Sequence, residues 1–184
     1  NVKLEKKAYL AMIKELEKAR NELNSLIENI EKRRTEAKIE VEQDLDFVFN
    51  EWKGKLPWPV KGDVIKNFGK IVHPEYKTVT MSDGIDIQSD MGNKVYCVAP
   101  GKVYYIGWMR GYGKFILVNH GGYITMYAHL EKINVSQNET LNYRKEIGSV
   151  GETGSLNGPK LHFQIRNTST SKTIDPLIWL EKKD

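Results

Sequence analysis

Cysteine is almost absent: Cys97 stands alone in 184 residues, so no internal disulfide, zinc ribbon or C-x-x-C redox pair can be built. The redox compartment stays open. No run approaches the roughly 20 apolar residues that span a bilayer, and no charged stretch followed by an apolar one opens the chain. The first residue is Asn1 instead of Met, and the expectation is a processed product whose export signal or anchor has been removed. Net charge is also modest. Residues 1–55 hold 12 Lys/Arg and 12 Asp/Glu, so the whole formal +4 falls on residues 56–184. That excess is too small and too scattered for nucleic acid, and no nucleic-acid motif accompanies it. It suits an anionic cell wall, a membrane surface or an acidic partner. Histidine is scarce as well: any zinc site must draw on His73, His120, His129 and His162.

Glycine and proline are missing from residues 2–52, where Glu, Lys, Leu, Ala and Arg dominate. This predicts one long helix or two nearly continuous ones. Met12, Leu16, Ala19, Leu23, Leu26 and Ile30 recur at alternating steps of four and three, the seam of a left-handed coiled coil. Apolar residues resume at Ala37, Val41, Leu45, Val48 and Trp52, and the step of four from Val41 to Leu45 predicts a stutter with a kink or change of partner. At about 1.5 Å per residue the segment reaches roughly 75 Å, which is stem-like. One seam needs one partner surface, and that surface is either a second helix or the chain's own globular domain.

Gly54, Pro57 and Pro59 end the helical pattern, since proline lacks the amide donor and clashes with the preceding turn. Beyond them, short alternating runs at 95–98, 103–106, 115–118, 123–127 and 161–165 are cut by glycine-bearing turns such as Asp83-Gly84 and Pro100-Gly101, the pattern of antiparallel β-structure. The expected fold class is therefore α+β: a coiled-coil stem over 1–53, a linker over 54–60 and a β-domain over 61–184. The 40% hydrophobic content is enough to give it an ordinary core.

Three runs carry chemistry: Gly84-Ile85-Asp86-Ile87, Tyr127-Ala128-His129-Leu130 and Lys160-Leu161-His162-Phe163-Gln164-Ile165-Arg166. Together they resemble the signature of the lysostaphin/LytM-type zinc metallopeptidases over about residues 56–180. The resemblance implies an antiparallel β-fold with a groove, in which Asp86 and His162 match zinc-ligand positions and His129 a catalytic histidine. Two positions depart from that pattern. Ser82 stands where the family has a ligand histidine, and Lys160 where it has a second catalytic one. A catalytic zinc needs three protein ligands plus an open position, and a serine hydroxyl is a poor substitute. Residues two apart on a strand share a face, so Lys160 points into the groove beside His162. At about 5 Å and an effective dielectric of about 20, its repulsion of a divalent ion is roughly 6 kcal/mol. The expectation is no metal, no cofactor and no catalytic residue, with Lys160 paired to Asp86 in the metal's electrostatic place. His120, before Gly121-Gly122, reads as a turn or core residue. His73 matches no ligand spacing, and Ser82 lacks a nucleophile elbow or paired base.

Within that family, Leu56-Pro57-Trp58-Pro59, Trp108-Met109-Arg110-Gly111-Tyr112-Gly113 and Asp175-Pro176-Leu177-Ile178-Trp179-Leu180 are similar to EnvC-type murein hydrolase activators, which also place a coiled coil before a degenerate peptidase domain. The resemblance implies a periplasmic or extracellular, envelope-associated protein. Its stem would engage an FtsEX-type transporter at division sites, and its groove would bind and switch on a cell-wall amidase, with peptidoglycan a further contact. It also implies that the stem lies across the groove as a restraint until it is pulled away. The groove is expected to comprise Ser82, Asp86, Arg110, Tyr112, Tyr127, His129, Lys160, His162 and Arg166, residue types that anchor interfaces. Two other classes compete: an interaction module of an envelope or sporulation complex, and a working zinc endopeptidase whose site is completed by His73 or a water.

Overall fold

The computed structural model describes residues 1–36 and 48–184; Ala37, Val41 and Leu45, and with them the expected stutter, lie outside the described residues. Within the glycine- and proline-free stretch, the described residues begin with one helix, α1 (Val2–Glu36). A 3₁₀ turn at Phe49–Trp52 precedes the strands β1 (Asp63–Lys66), β2 (Gly69–Val72), β3 (Val79–Ser82), β4 (Ile85–Gln88), β5 (Lys94–Tyr96), β6 (Gly101–Met109), β7 (Gly113–Asn119), β8 (Tyr123–Ile133), β9 (Thr140–Leu141), β10 (Glu146–Val150), β11 (Lys160–Asn167) and β12 (Lys172–Ile174). A one-turn helix, α2 (Pro176–Trp179), closes the chain, its first turn capped by the Asp175 carboxylate accepting from the Leu177 amide at 3.0 Å.

Among the described residues, ten strands form one antiparallel sheet with the central order β1-β4-β11-β8-β7-β6-β9, while β2 and β3 make a separate hairpin. Side chains alternate across the sheet, and both faces are covered. Ile116, Val118, Tyr127, Leu161, Phe163 and Ile165 point into the main core. Phe115, Leu117, Ile124, Met126 and Ala128 point the other way, onto Leu23 and Ile27 of α1. This explains why β7 is buried along nearly its whole length, where an antiparallel strand with one wet face would alternate.

Of the two surfaces open to the helical seam, α1 uses the internal one. Leu23 and Ile27 are buried against the sheet and Ala19 against the turn at Gly111, so over the described residues the helical seam packs on the chain's own domain. At Ala19 the helix backbone comes close to a loop, since a Cβ added to Gly111 would lie 2.8 Å from the Ala19 Cβ; only a small residue meeting a glycine lets helix and loop touch there. The segment expected as a linker is also packed. Leu56 and Val60 are core residues, Leu56 pairs with Leu180, and Phe49 joins the same core.

Leu23 is fully buried, so Leu23→Ala is expected to cost about 2–5 kcal/mol through lost burial and the cavity left behind. The measurement is amide hydrogen exchange, which should quicken along α1. Unchanged exchange would mean that the helix is held elsewhere.

Candidate functional site

The pairing of β4 with β11 sets His162 opposite Asp86, and period-2 alternation puts Lys160, His162, Gln164 and Arg166 on the sheet face that looks toward α1. Asp86 is the hub. Lys160 Nζ donates to its Oδ2 at 2.9 Å, and His162 Nδ1 lies 2.6 Å from its Oδ1. The other ring nitrogen, Nε2, lies 2.9 Å from the Gln164 amide nitrogen. Burial by itself raises the Asp86 pKa. The His162 hydrogen bond and charge, followed by those of Lys160, outweigh burial and hold the carboxyl well below its ordinary range.

The remaining groove residues come from a bulge in β8, the turn between β6 and β7, and the end of β3. His129 has φ 63, at a register shift between β7 and β8, and its Nδ1 meets the Thr153 carbonyl at 2.8 Å. The loop holding Thr153 is pressed on Gly113, where an added Cβ would fall 1.9 Å from the Thr153 carbonyl oxygen; only glycine admits that contact, which fixes the adjacent Tyr112. The Tyr112 ring lies 5.7 Å from His162, and burial pushes its phenol up. Ser82 is buried and donates its hydroxyl to the Gly84 carbonyl at 2.8 Å.

These six residues, Ser82, Asp86, Tyr112, His129, Lys160 and His162, line a cleft of about 500 Å³ whose opposite wall is α1, through Tyr9, Met12, Ile13 and Leu16. The helix is clamped at the rim by Arg20, whose Nε and Nη2 both donate to the Asp83 carboxylate, the latter at 2.9 Å. Thr173 donates to the same carboxylate at 3.1 Å.

Two of the expected groove residues sit elsewhere, and a third is covered by the helix. Tyr127 is fully buried on the core side, its hydroxyl accepting from the Val98 amide at 3.1 Å. The spacing to His129 suggested a shared face, but the bulge at His129 inserts one residue and reverses the alternation. Arg110 is exposed at the rim and lies 3.6 Å from Glu15 of α1, a pairing of small energetic value. Arg166 does lie on the groove face of β11, but it is roofed by α1 and bonded to Asn24. Sequence reasoning missed Arg20, Asn24 and Asp83 because nothing local links partners 63 or 142 positions apart. Gln164 had a legible signal, its two-residue offset from His162. His120 is a core residue as expected, held by the Pro100 carbonyl and Thr125.

The donors present do not fit a zinc ion. The carboxylate and imidazole that match ligand positions are bonded directly to each other, the third position is a hydroxyl committed to a backbone carbonyl, and an ammonium fills the fourth side. A catalytic zinc needs three converging ligands and no adjacent fixed cation.

A profile for peptidase family M23 matches residues 80–176, more than half of the chain. The chain belongs to peptidase family M23. Its similarity to a solved M23 peptidase from Pseudomonas aeruginosa has a TM-score of 0.57 at 31% identity, covering 67% of this chain and 49% of that one. The chain is also 35% identical over 136 residues to the cell division protein DipM of Caulobacter vibrioides, covering 71% of this chain and 22% of DipM. It is 32% identical over 128 residues to the murein hydrolase activator NlpD of Escherichia coli, covering 68% of this chain and 31% of NlpD. The chain therefore spans less than a third of either of these two relatives.

Two buried histidines set the acid response of this M23 domain. Burial lowers the His120 pKa to about 4, and burial followed by the His162 charge lowers that of His129 to about 4. Unfolding returns each to roughly 6.5, so between pH 6.5 and 4 the unfolded chain binds more protons and stability falls as pH falls. The expected loss is on the order of 3 kcal/mol per histidine, read as urea midpoints at pH 7, 6, 5 and 4. A flat profile over that range would show that both rings take up protons in the fold as readily as in the unfolded chain.

Proposed function

We propose that the chain is a non-catalytic regulator of cell-wall hydrolysis, which binds and switches on a peptidoglycan amidase through the groove between α1 and the sheet. The observation that carries this reading is the Lys160–Asp86 pair at 2.9 Å, which puts an ammonium where a peptidase would need its metal. Two others support it. The groove is walled by the chain's own helix, and relatives at 32–35% identity include proteins named for murein hydrolase activation and cell division. Activation is then a population shift: the groove binds the open form of the amidase more tightly than the closed form and stabilises it by that difference. α1 is the restraint, and an FtsEX-type transporter is the device that draws it off. The setting is the periplasm or cell surface; no helix among the described residues is long and apolar enough to cross a membrane.

The test combines elemental analysis for zinc with dye release from labelled peptidoglycan. Expected are no stoichiometric zinc, no release by the chain alone and faster release when a cell-wall amidase is added. Leu23→Ala, which loosens α1, should raise that stimulation further. Chelator-sensitive release by the chain alone would overturn the reading and make the protein an endopeptidase.

A further inference from the structure

Beneath α1 the sheet presents an apolar strip, chiefly Phe115, Leu117 and Met126, flanked by two charges of opposite sign. Asp83 on one flank is fully matched, since Arg20 meets both of its oxygens. Arg166 on the other flank is not. It is 6% exposed, donates from Nη1 to the Ser171 carbonyl at 3.1 Å and from Nη2 to Asn24 Oδ1 at 2.6 Å, and leaves its buried Nε without an acceptor. Among the described residues no carboxylate lies within ion-pair distance of Arg166, although Asp83 and Glu28 act on it at longer range.

The shortfall follows from the chemistry of Asn24. An amide offers one acceptor oxygen, and its other end is itself a donor. A carboxylate has two acceptors and meets Nε and Nη2 of a guanidinium side by side. Asparagine at this position must therefore leave one N–H unbonded, and a buried unbonded donor is costly. Arg20, Leu23, Asn24 and Ile27 follow the i, i+3, i+4, i+7 spacing of one helical stripe, so α1 is itself a template for what the face accepts.

We propose that this face is built for an amphipathic partner helix with a basic residue against Asp83, aliphatic residues three and seven positions later, and a carboxylate four positions later against Arg166. α1, which offers Asn24 there, is the weaker stand-in that such a helix displaces. This rests on the reading that α1 covers a docking groove, and it adds the charge signature of the occupant.

The test uses the full chain and two labelled peptides copying residues 12–33, one with the native sequence and one carrying Asn24→Asp, read by fluorescence polarisation. α1 competes equally with both, so their ratio isolates the carboxylate. The Asn24→Asp peptide is expected to bind at least tenfold tighter, about 1.4 kcal/mol, and its advantage should shrink below threefold in an Arg166→Lys chain, which keeps the charge but lacks the fork. A second measurement needs neither exchange in trans nor a change at Arg166. In the Asn24→Asp chain, α1 amides should exchange at least tenfold more slowly than in the wild type. Equal binding of the two peptides, which would point to a second copy of this chain as the occupant, overturns the proposal. So do failure of both peptides to bind, an advantage that survives Arg166→Lys, or unchanged exchange in the Asn24→Asp chain. No amidase enters either measurement, so failure here and failure of amidase stimulation are distinguishable.

Discussion

Asp86→Asn is expected to lower the unfolding free energy by about 3–5 kcal/mol, the usual cost of removing one member of a buried ion pair. The substitution keeps the side chain's shape and removes its charge, so the loss cannot be assigned to a cavity. It strands the Lys160 ammonium, only 9% exposed, and exchanges one acceptor of the Lys160 and His162 hydrogen bonds for an amide donor. Lys160→Met in the same background, or Asp86→Leu with Lys160→Met, should recover much of the loss, because replacing both charges by apolar groups of similar volume removes the desolvation penalty with the attraction. The pH dependence carries a second signature. The Asp86 pKa is depressed in the fold, so its contribution is complete above the unfolded carboxyl pKa of about 3.9 and is lost as pH falls below it. Asp86→Asn should therefore abolish the acid loss below about pH 4 and leave the histidine window above it intact. Urea midpoints at pH 7 and pH 3 measure both effects. A loss below about 1 kcal/mol at pH 7 would mean that the pair is as weak as a surface ion pair and does not organise the groove.

Ser82→His combined with Lys160→His should turn a chain without zinc into one that holds a single zinc ion. Asp86 and His162 already face each other through the β4–β11 register. The first substitution adds a third ligand at a buried position, and the second removes a repulsion of roughly 6 kcal/mol, worth about four orders of magnitude in affinity. Elemental analysis after dialysis should find one zinc per double-variant chain and background zinc in the wild type. Ser82→His alone should remain near background, because the ammonium still faces the site. Stoichiometric zinc in that single variant would show that Lys160 swings away and does not guard the carboxylate. Stoichiometric zinc in the wild type would sink the whole account of the groove.

Much of the site was legible in the sequence because its defining features are residue identities at short spacings. Ser82 and Asp86 are four apart and Lys160 and His162 two apart, so both departures from the metallopeptidase pattern could be read without coordinates. The strands at 115–118, 123–127 and 161–165 were equally plain, being apolar runs between glycine turns. The weakly patterned strands at the sheet edges, such as β1, β9 and β12, escaped because two to four residues carry no usable periodicity.

By itself the sequence determined that the chain opens on a long helix, that antiparallel β-structure follows the glycine and prolines at 54–59, and that the groove carries a lysine and a serine in place of two histidines. Each of these is a local property, written in composition or in spacing. Only the tertiary structure decided what the helix packs against. A 3.6-residue period marks which face of a helix is apolar but not which surface will cover it, and here the cover is the sheet itself, with Arg20 on Asp83 and Asn24 on Arg166. The structure also decided that Tyr127 points into the core while His129 points into the groove, since one residue with φ 63 reverses the alternation on which any reading of strand faces depends.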